Sequence, residues 1–100
     1  MISEADIHPE ASRELEEAAL FYEQRAKGLG LRFLRAAEKA IEHILLFPEA
    51  APVVGESVRQ KALDRFPYSV LYVFEKSTIF FVAVAHHKKE PMYWRERLSG

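Results

Sequence analysis

The run Tyr68-Ser69-Val70-Leu71-Tyr72-Val73-Phe74, the polar break Glu75-Lys76-Ser77 and the run Thr78-Ile79-Phe80-Phe81-Val82-Ala83-Val84-Ala85-His86-His87 decide how this chain must be built. Both runs are rich in β-branched and aromatic residues, and the three polar residues between them suit a tight hairpin. Alternate residues of a strand face opposite sides of a sheet. Tyr68, Val70, Tyr72 and Phe74 then share one side, with Leu71 and Val73 on the other; in the second strand Ile79, Phe81, Ala83 and Ala85 oppose Phe80, Val82 and Val84. Neither strand has a polar side. An antiparallel sheet with one wet face alternates apolar and polar residues, so both faces of this one need cover.

Working outward, Val58 to Phe66 reads as a third, mixed strand of the same meander, broken by Pro67, and Glu49 to Ser57 as a loop punctuated by Pro48, Pro52 and Gly55. Upstream, Ala11, Leu15, Ala18, Ala19 and Tyr22 recur at helical spacing from Pro9 to about Arg25, with Glu10, Arg13, Glu14, Glu16, Glu17 and Glu23 filling the exterior. Pro9 fits a first helical turn, where its missing N–H costs nothing. Lys27-Gly28-Leu29-Gly30 breaks this helix. A second follows from about Leu31 to Phe47, with Leu34, Ala37, Ile41, Ile44 and Leu45 as its inner stripe. The two make an antiparallel helical hairpin. Ile2 to Ile7 alternates weakly, as a short edge strand would, and Pro91 to Arg97 has length for one or two helical turns. The expected fold is α+β: an N-terminal strand, a helical hairpin packed on a mostly antiparallel sheet, a three-strand meander and a short C-terminal helical turn. Two helices cover one sheet face. The other must be covered by the chain's own Tyr93 and Trp94, by a second copy of the chain, or by a different protein, and the expectation is a binding partner.

One hundred residues make one domain, 1–100. Without cysteine there is neither a disulfide framework nor a thiolate metal site, and neither a metal nor a cofactor is expected. The acidic start Met1-Ile2-Ser3-Glu4-Ala5-Asp6 lacks the basic, apolar pattern of a signal peptide, and no apolar run approaches the roughly 20 residues that span a bilayer. We therefore expect a cytoplasmic protein with no membrane association. Net charge is −1, which argues against a general nucleic-acid binder. Residues 1–55 hold six Lys/Arg and ten Asp/Glu (net −4), and residues 56–100 hold eight and five (net +3). That asymmetry suggests a basic face built to meet an anion or an acidic partner.

The order of elements comes with Ala18…Phe21-Tyr22-Glu23, Gly28-Leu29-Gly30…Arg32-Phe33-Leu34, Phe47-Pro48, Arg65-Phe66-Pro67-Tyr68…Tyr72 and His86…Pro91…Tyr93-Trp94…Arg97. Taken over nearly the whole chain, this series resembles the RelE/ParE superfamily of toxins from type II toxin–antitoxin systems, and within it the ParE-like branch. The resemblance implies a growth-inhibiting toxin neutralised by a cognate antitoxin protein that wraps it with a helix or an added strand. For the ParE-like branch it implies inhibition of DNA gyrase by protein binding, with no catalytic set. Partner-binding candidates under that reading are Arg65, Tyr72, His87, Lys88, Trp94, Arg95 and Arg97.

For RelE-like members the resemblance implies cleavage of messenger RNA on the ribosome. That chemistry needs a base for the ribose 2′-hydroxyl, cations for the phosphorane and an acid for the leaving oxygen. Arg59, Lys61 and Arg65 lie at even spacings, on one face if a single strand holds them, and His86 and Tyr93 are the further candidates. Each has a plainer reading. Cations on a rim strand protect an edge, His86 shares a strand face with Val82 and Val84 and suits a buried, hydrogen-bonded role, and Tyr93 and Trp94 suit a core lid. His8 and His43 have no evident partner. Adjacent His86 and His87 point to opposite faces, which disfavours a shared metal.

Overall fold

The structure, a computed structural model, describes residues 2–99. In chain order the elements are β1 (Glu4–Ile7), α1 (Pro9–Arg25), α2 (Leu29–Leu46), β2 (Val53–Gly55), β3 (Val58–Ala62), β4 (Tyr68–Glu75), β5 (Thr78–His86) and a 3₁₀ turn (Arg95–Leu98). The sheet order is β1-β5-β4-β3-β2. β1 runs parallel to β5 and the other pairs are antiparallel. This is the expected α+β architecture.

Local chemistry explains the helix ends. His8 caps α1: its Nδ1 accepts from the Glu10 N–H at 3.0 Å, and its own N–H donates to Phe81 O at 2.9 Å. The histidine that lacked a partner on paper thus links α1 to the sheet. Gly28, at φ +86, turns the chain between helices. The Glu23 carboxylate there accepts from the N–H groups of Gly28 and Gly30. Gly30 is where the helices touch: a Cβ on it would lie 2.6 Å from Ala19 O.

The inner face of α2 is rotated from the expected stripe. Phe33, Ala37, Ala40 and Ile44 are buried, while Leu34 and Leu45 are exposed. The aromatic Phe33 takes the core position by packing against Tyr22, Phe66 and Tyr68, with ring centroids 5.1–5.4 Å apart. β3 stops at Ala62, short of the expected Phe66, and part of the expected 49–57 loop is a strand. There Glu56 (φ 53) and Ser57 (φ 66) form a two-residue hairpin turn of the mirror type that matches sheet twist.

β5 carries a bulge. Leu71 pairs with Ala83 but Tyr72 pairs with Phe81, so Val82 is the extra residue. A one-residue insertion swaps the facing of everything beyond it. Ile79, Phe81 and Val84 consequently face the helices, while Val82 and Ala83 both join the opposite side. The simple alternation read from sequence fails at this point.

Two cores result. The larger lies between the helical hairpin and the sheet, around Phe33, Ala37, Ile44, Val70, Tyr72, Ile79 and Val84. The smaller lies on the far face, where Val58, Leu71, Val82 and Ala83 are closed over by Trp94, with Met92, Tyr93 and Leu98 packed around it. Trp94 is 3% exposed. The expectation that the second face requires another molecule is therefore corrected: residues 92–98 of the same chain are its roof.

Candidate functional site

The C-terminal roof is held by one side chain of α1. β1 ends at Ile7, so β5 beyond Phe81 has no strand beside it on that edge. Glu14 reaches this edge and accepts from the Val84 N–H (3.0 Å), the Tyr93 hydroxyl (2.7 Å) and both terminal nitrogens of Arg97 (2.9 Å each). Arg97 also donates to Val82 O at 3.1 Å. The bulged strand's free backbone groups are thereby satisfied by an ion pair. Burial pushes the Glu14 carboxyl up, but the hydrogen bonds from Arg97, Tyr93 and Val84, together with the Arg97 charge, outweigh it and hold the group below the usual carboxylate range. Burial, and then the bond to Glu14, push the Tyr93 phenol up. The hydrogen bond to Glu14 raises Arg97 against the opposing effect of burial. Glu14 was assigned to the exterior of α1; yet at helical spacing it falls between Ala11 and Ala18, both buried, and that spacing was the available signal.

The candidates for RNA cleavage do not converge. Arg59 and Lys61 share the helix-facing side of β3, opposite Tyr72 and Val70. Arg59 is spent on the carbonyls of Glu49 and Ala51 at 2.9 and 2.7 Å. Arg65 is off the strand, at φ +67 in the β3–β4 connection, so the three even-spaced cations do not form one row. His86 packs edge-on against Tyr68 and accepts from the Lys88 N–H. Tyr93 is committed to Glu14 with its proton held.

The partner-binding candidates divide as sharply. Tyr72 is 0% exposed and donates to Pro48 O at 2.8 Å, and Trp94 is a core lid; neither has surface to offer a partner. Arg97 is a structural clamp, and Arg95 forms a 3.6 Å surface pair with Glu56. Arg65, His87 and Lys88 remain exposed. His87 Nε2 lies 3.0 Å from the buried Ser69 hydroxyl. Both line a hollow of about 260 Å3 between the far sheet face and the Lys89–Trp94 segment. Among the described residues no group of three or more His, Asp or Glu is placed to hold a metal ion, and no helix is long and apolar enough to cross a membrane.

Apolar surface is nevertheless on offer, on the outside of the helical hairpin. Leu31, Leu34 and Leu45 are exposed, and at 3.6 residues per turn they share one shoulder of α2. Leu20 and Phe21 are exposed on α1, and Leu46 and Phe47 at the end of α2. Exposed leucines gathered on one side of a helix, here with Glu38 and Glu42 between them, suit a contact surface. A basic surface is assembled across the two halves, by Arg32, Arg35 and Lys39 of the acidic N-terminal half with Arg65 of the basic half, while Arg59 and Arg97 are held by internal hydrogen bonds. The arrangement is suited to binding through surfaces.

A search of curated proteins finds no significant match. Among solved structures the chain is similar to one described as "Chromosomal ParDE TA system from P. aeruginosa", with a TM-score of 0.62 and 17% identity, covering 86% of this chain and 96% of that one. That likeness supports the fold. The family model described as "ParE toxin of type II toxin-antitoxin system, parDE" matches residues 5–91, nearly the whole folded chain. This protein therefore belongs to the ParE toxin family of type II toxin–antitoxin systems.

Proposed function

We propose that this ParE-family toxin acts as a surface-binding inhibitor whose target is DNA gyrase, and that a cognate antitoxin silences it by covering the leucine shoulder of the helical hairpin. The observation that supports a binding mode is the commitment of Arg59 and Tyr93, two of the groups an RNA-cleaving site would use, to internal hydrogen bonds. A phenol whose proton is held against a carboxylate is a poor base, and an arginine wrapped on two carbonyls is a poor phosphorane clamp. The antitoxin assignment draws on Leu31, Leu34 and Leu45, exposed apolar residues on one side of α2 that an amphipathic segment can cover.

Supercoiling of relaxed plasmid by purified gyrase tests the reading. The chain is expected to block supercoiling and to accumulate cleaved plasmid, while transcripts in expressing cells stay intact and the cells filament. Ribosome-dependent transcript cleavage that Arg65→Ala abolishes, with gyrase unaffected, would overturn it. The antitoxin half is tested by coexpressing the neighbouring open reading frame, which should restore growth.

A further inference from the structure

About a third of a turn around α2 from its leucine shoulder, Arg32, Arg35 and Lys39 line a groove of about 500 Å3 whose other wall is Asp64, Arg65 and Phe66. Four cations there meet one carboxylate. The ion pairs among the described residues are Arg13–Glu10, Arg95–Glu56 and Arg97–Glu14, so none of the four is neutralised by a side-chain partner. An adjoining hollow shares Lys39 and Asp64 and adds Lys61. The wall opposite α2 is not a loose loop. Phe66 packs edge-on against both Tyr22 and Phe33, with centroids 4.9 and 5.2 Å away, which fixes the connection against both helices. Arg65 sits beside it in the left-handed region, at φ +67. Backbone of this kind is uncommon for residues with a Cβ and persists where the surroundings hold it, often at ligand clamps.

We infer that this groove grips the phosphate backbone of duplex DNA. Along a helix rising 1.5 Å per residue, Arg32, Arg35 and Lys39 make a row about 10 Å long. Each strand of B-form DNA adds one phosphate per roughly 3.4 Å of duplex axis. The long, flexible arginine and lysine side chains of the row can fan out to reach successive ones along the winding backbone. Arg65 supplies a fourth cation from across the groove. Arginine-rich sites suit phosphate and carboxylate alike, but an acidic amphipathic peptide also needs a wide apolar seat. In this molecule that seat is the separate shoulder of Leu31, Leu34 and Leu45. The groove sets four cations against one carboxylate on a floor that includes Leu29, Ala36 and Phe66, and that excess of positive charge is what a polyanion can use. The choice of DNA over other polyanions rests on the gyrase reading, since a protein docked on an enzyme that handles DNA meets that backbone beside it.

The test uses the purified chain and a fluorescein-labelled DNA duplex without gyrase, read by anisotropy over a series of salt concentrations. Binding is expected with log affinity falling against log salt at a slope near about −3.6, as four phosphate contacts require. Arg35→Glu with Arg65→Glu should weaken binding at least about tenfold and bring the slope to about −1.8 or shallower. Lys76→Glu, at the far end of β4, carries the same charge change per site and should bind as the parent does. Arg35→Gln with Arg65→Gln, the milder pair, should fall between, which guards against misfolding of the reversed variant. Failure to bind the duplex, or equal binding by the parent and both pairs, overturns the inference. So does binding of polyglutamate in preference to DNA, which would assign the groove to an acidic protein segment. Gyrase inhibition is scored separately. Inhibition without duplex binding sinks this inference alone, and groove-dependent duplex binding with gyrase unaffected sinks the gyrase reading alone.

Discussion

Glu14 and Arg97 lie 83 positions apart and face each other with two parallel hydrogen bonds of 2.9 Å, in a pocket where their side chains are only 20% and 14% exposed. The pair joins α1 to the C-terminal segment across the uncovered edge of β5. Paired guanidinium and carboxylate forks of this kind are directional as well as strong. The roof over the far sheet face thus depends on a helix packed on the near one.

Removing one partner should cost more than removing both. Arg97→Met leaves a half-buried carboxylate with its main counter-charge gone, and a loss of about 2–4 kcal/mol is expected. Glu14→Gln with Arg97→Met should recover part of that loss. A double-mutant cycle by urea unfolding measures the coupling, and strictly additive losses would show that the pair contributes no interaction of its own.

The same carboxylate gives a pH dependence with a defined sign. Its folded-state pKa is held below the ordinary value of 4.5, so its contribution is fully present above about pH 4.5 and is lost as the pH falls through the folded value. Wild type should lose stability on acidification below that point more steeply than Glu14→Gln. Thermal melts across the acid range check this, and parallel curves would exclude Glu14 as the source.

Trp94→Ala should open the far face. The indole closes over Val58, Leu71, Val82 and Ala83, and deleting a buried aromatic of this size costs about 3–5 kcal/mol. A domain of this length has little stability to spare. The variant should bind the dye ANS and lose its cooperative thermal transition at temperatures where the parent is folded. A cooperative melt unchanged from the parent would mean that other residues seal this face.

Leu34→Asp with Leu45→Asp should separate neutralisation from folding. The leucines are 40% and 41% exposed, so unfolding free energy should fall by about 1–2 kcal/mol per site while the variant still melts cooperatively. Copurification with the antitoxin and rescue of growth should be lost if the shoulder is its seat. Undiminished rescue would place the antitoxin elsewhere.

The fold was legible in the sequence wherever a local rule acts alone. The helical spacing of Ala11, Ala18 and Tyr22, the glycines at 28 and 30, and the two apolar runs after Pro67 specify a hairpin on a sheet. They do so because helix and strand periods, glycine's positive φ and proline's missing N–H are properties of neighbouring residues. The second apolar sheet face was also visible as a demand for cover.

What met that demand was decided in three dimensions. The bulge at Val82 has no local signature, because an extra residue in a ladder exists only relative to its partner strand. It shifts the facing of Val84 and frees the groups that Glu14 and Arg97 satisfy. Long-range pairing likewise determined which charges are spent inside, as with Arg59 and Arg97, and which stay free, as with Arg32, Arg35 and Arg65. The sequence by itself established the elements, the family resemblance and the need to bury both faces of the meander. Only the tertiary structure decided that residues 92–98 bury the second face, that Leu31, Leu34 and Leu45 of α2 stay exposed, and that Arg65 joins the cations of α2 across a groove. The physical reason is that burial and charge pairing depend on distances between residues far apart in the chain, which periodicity does not encode.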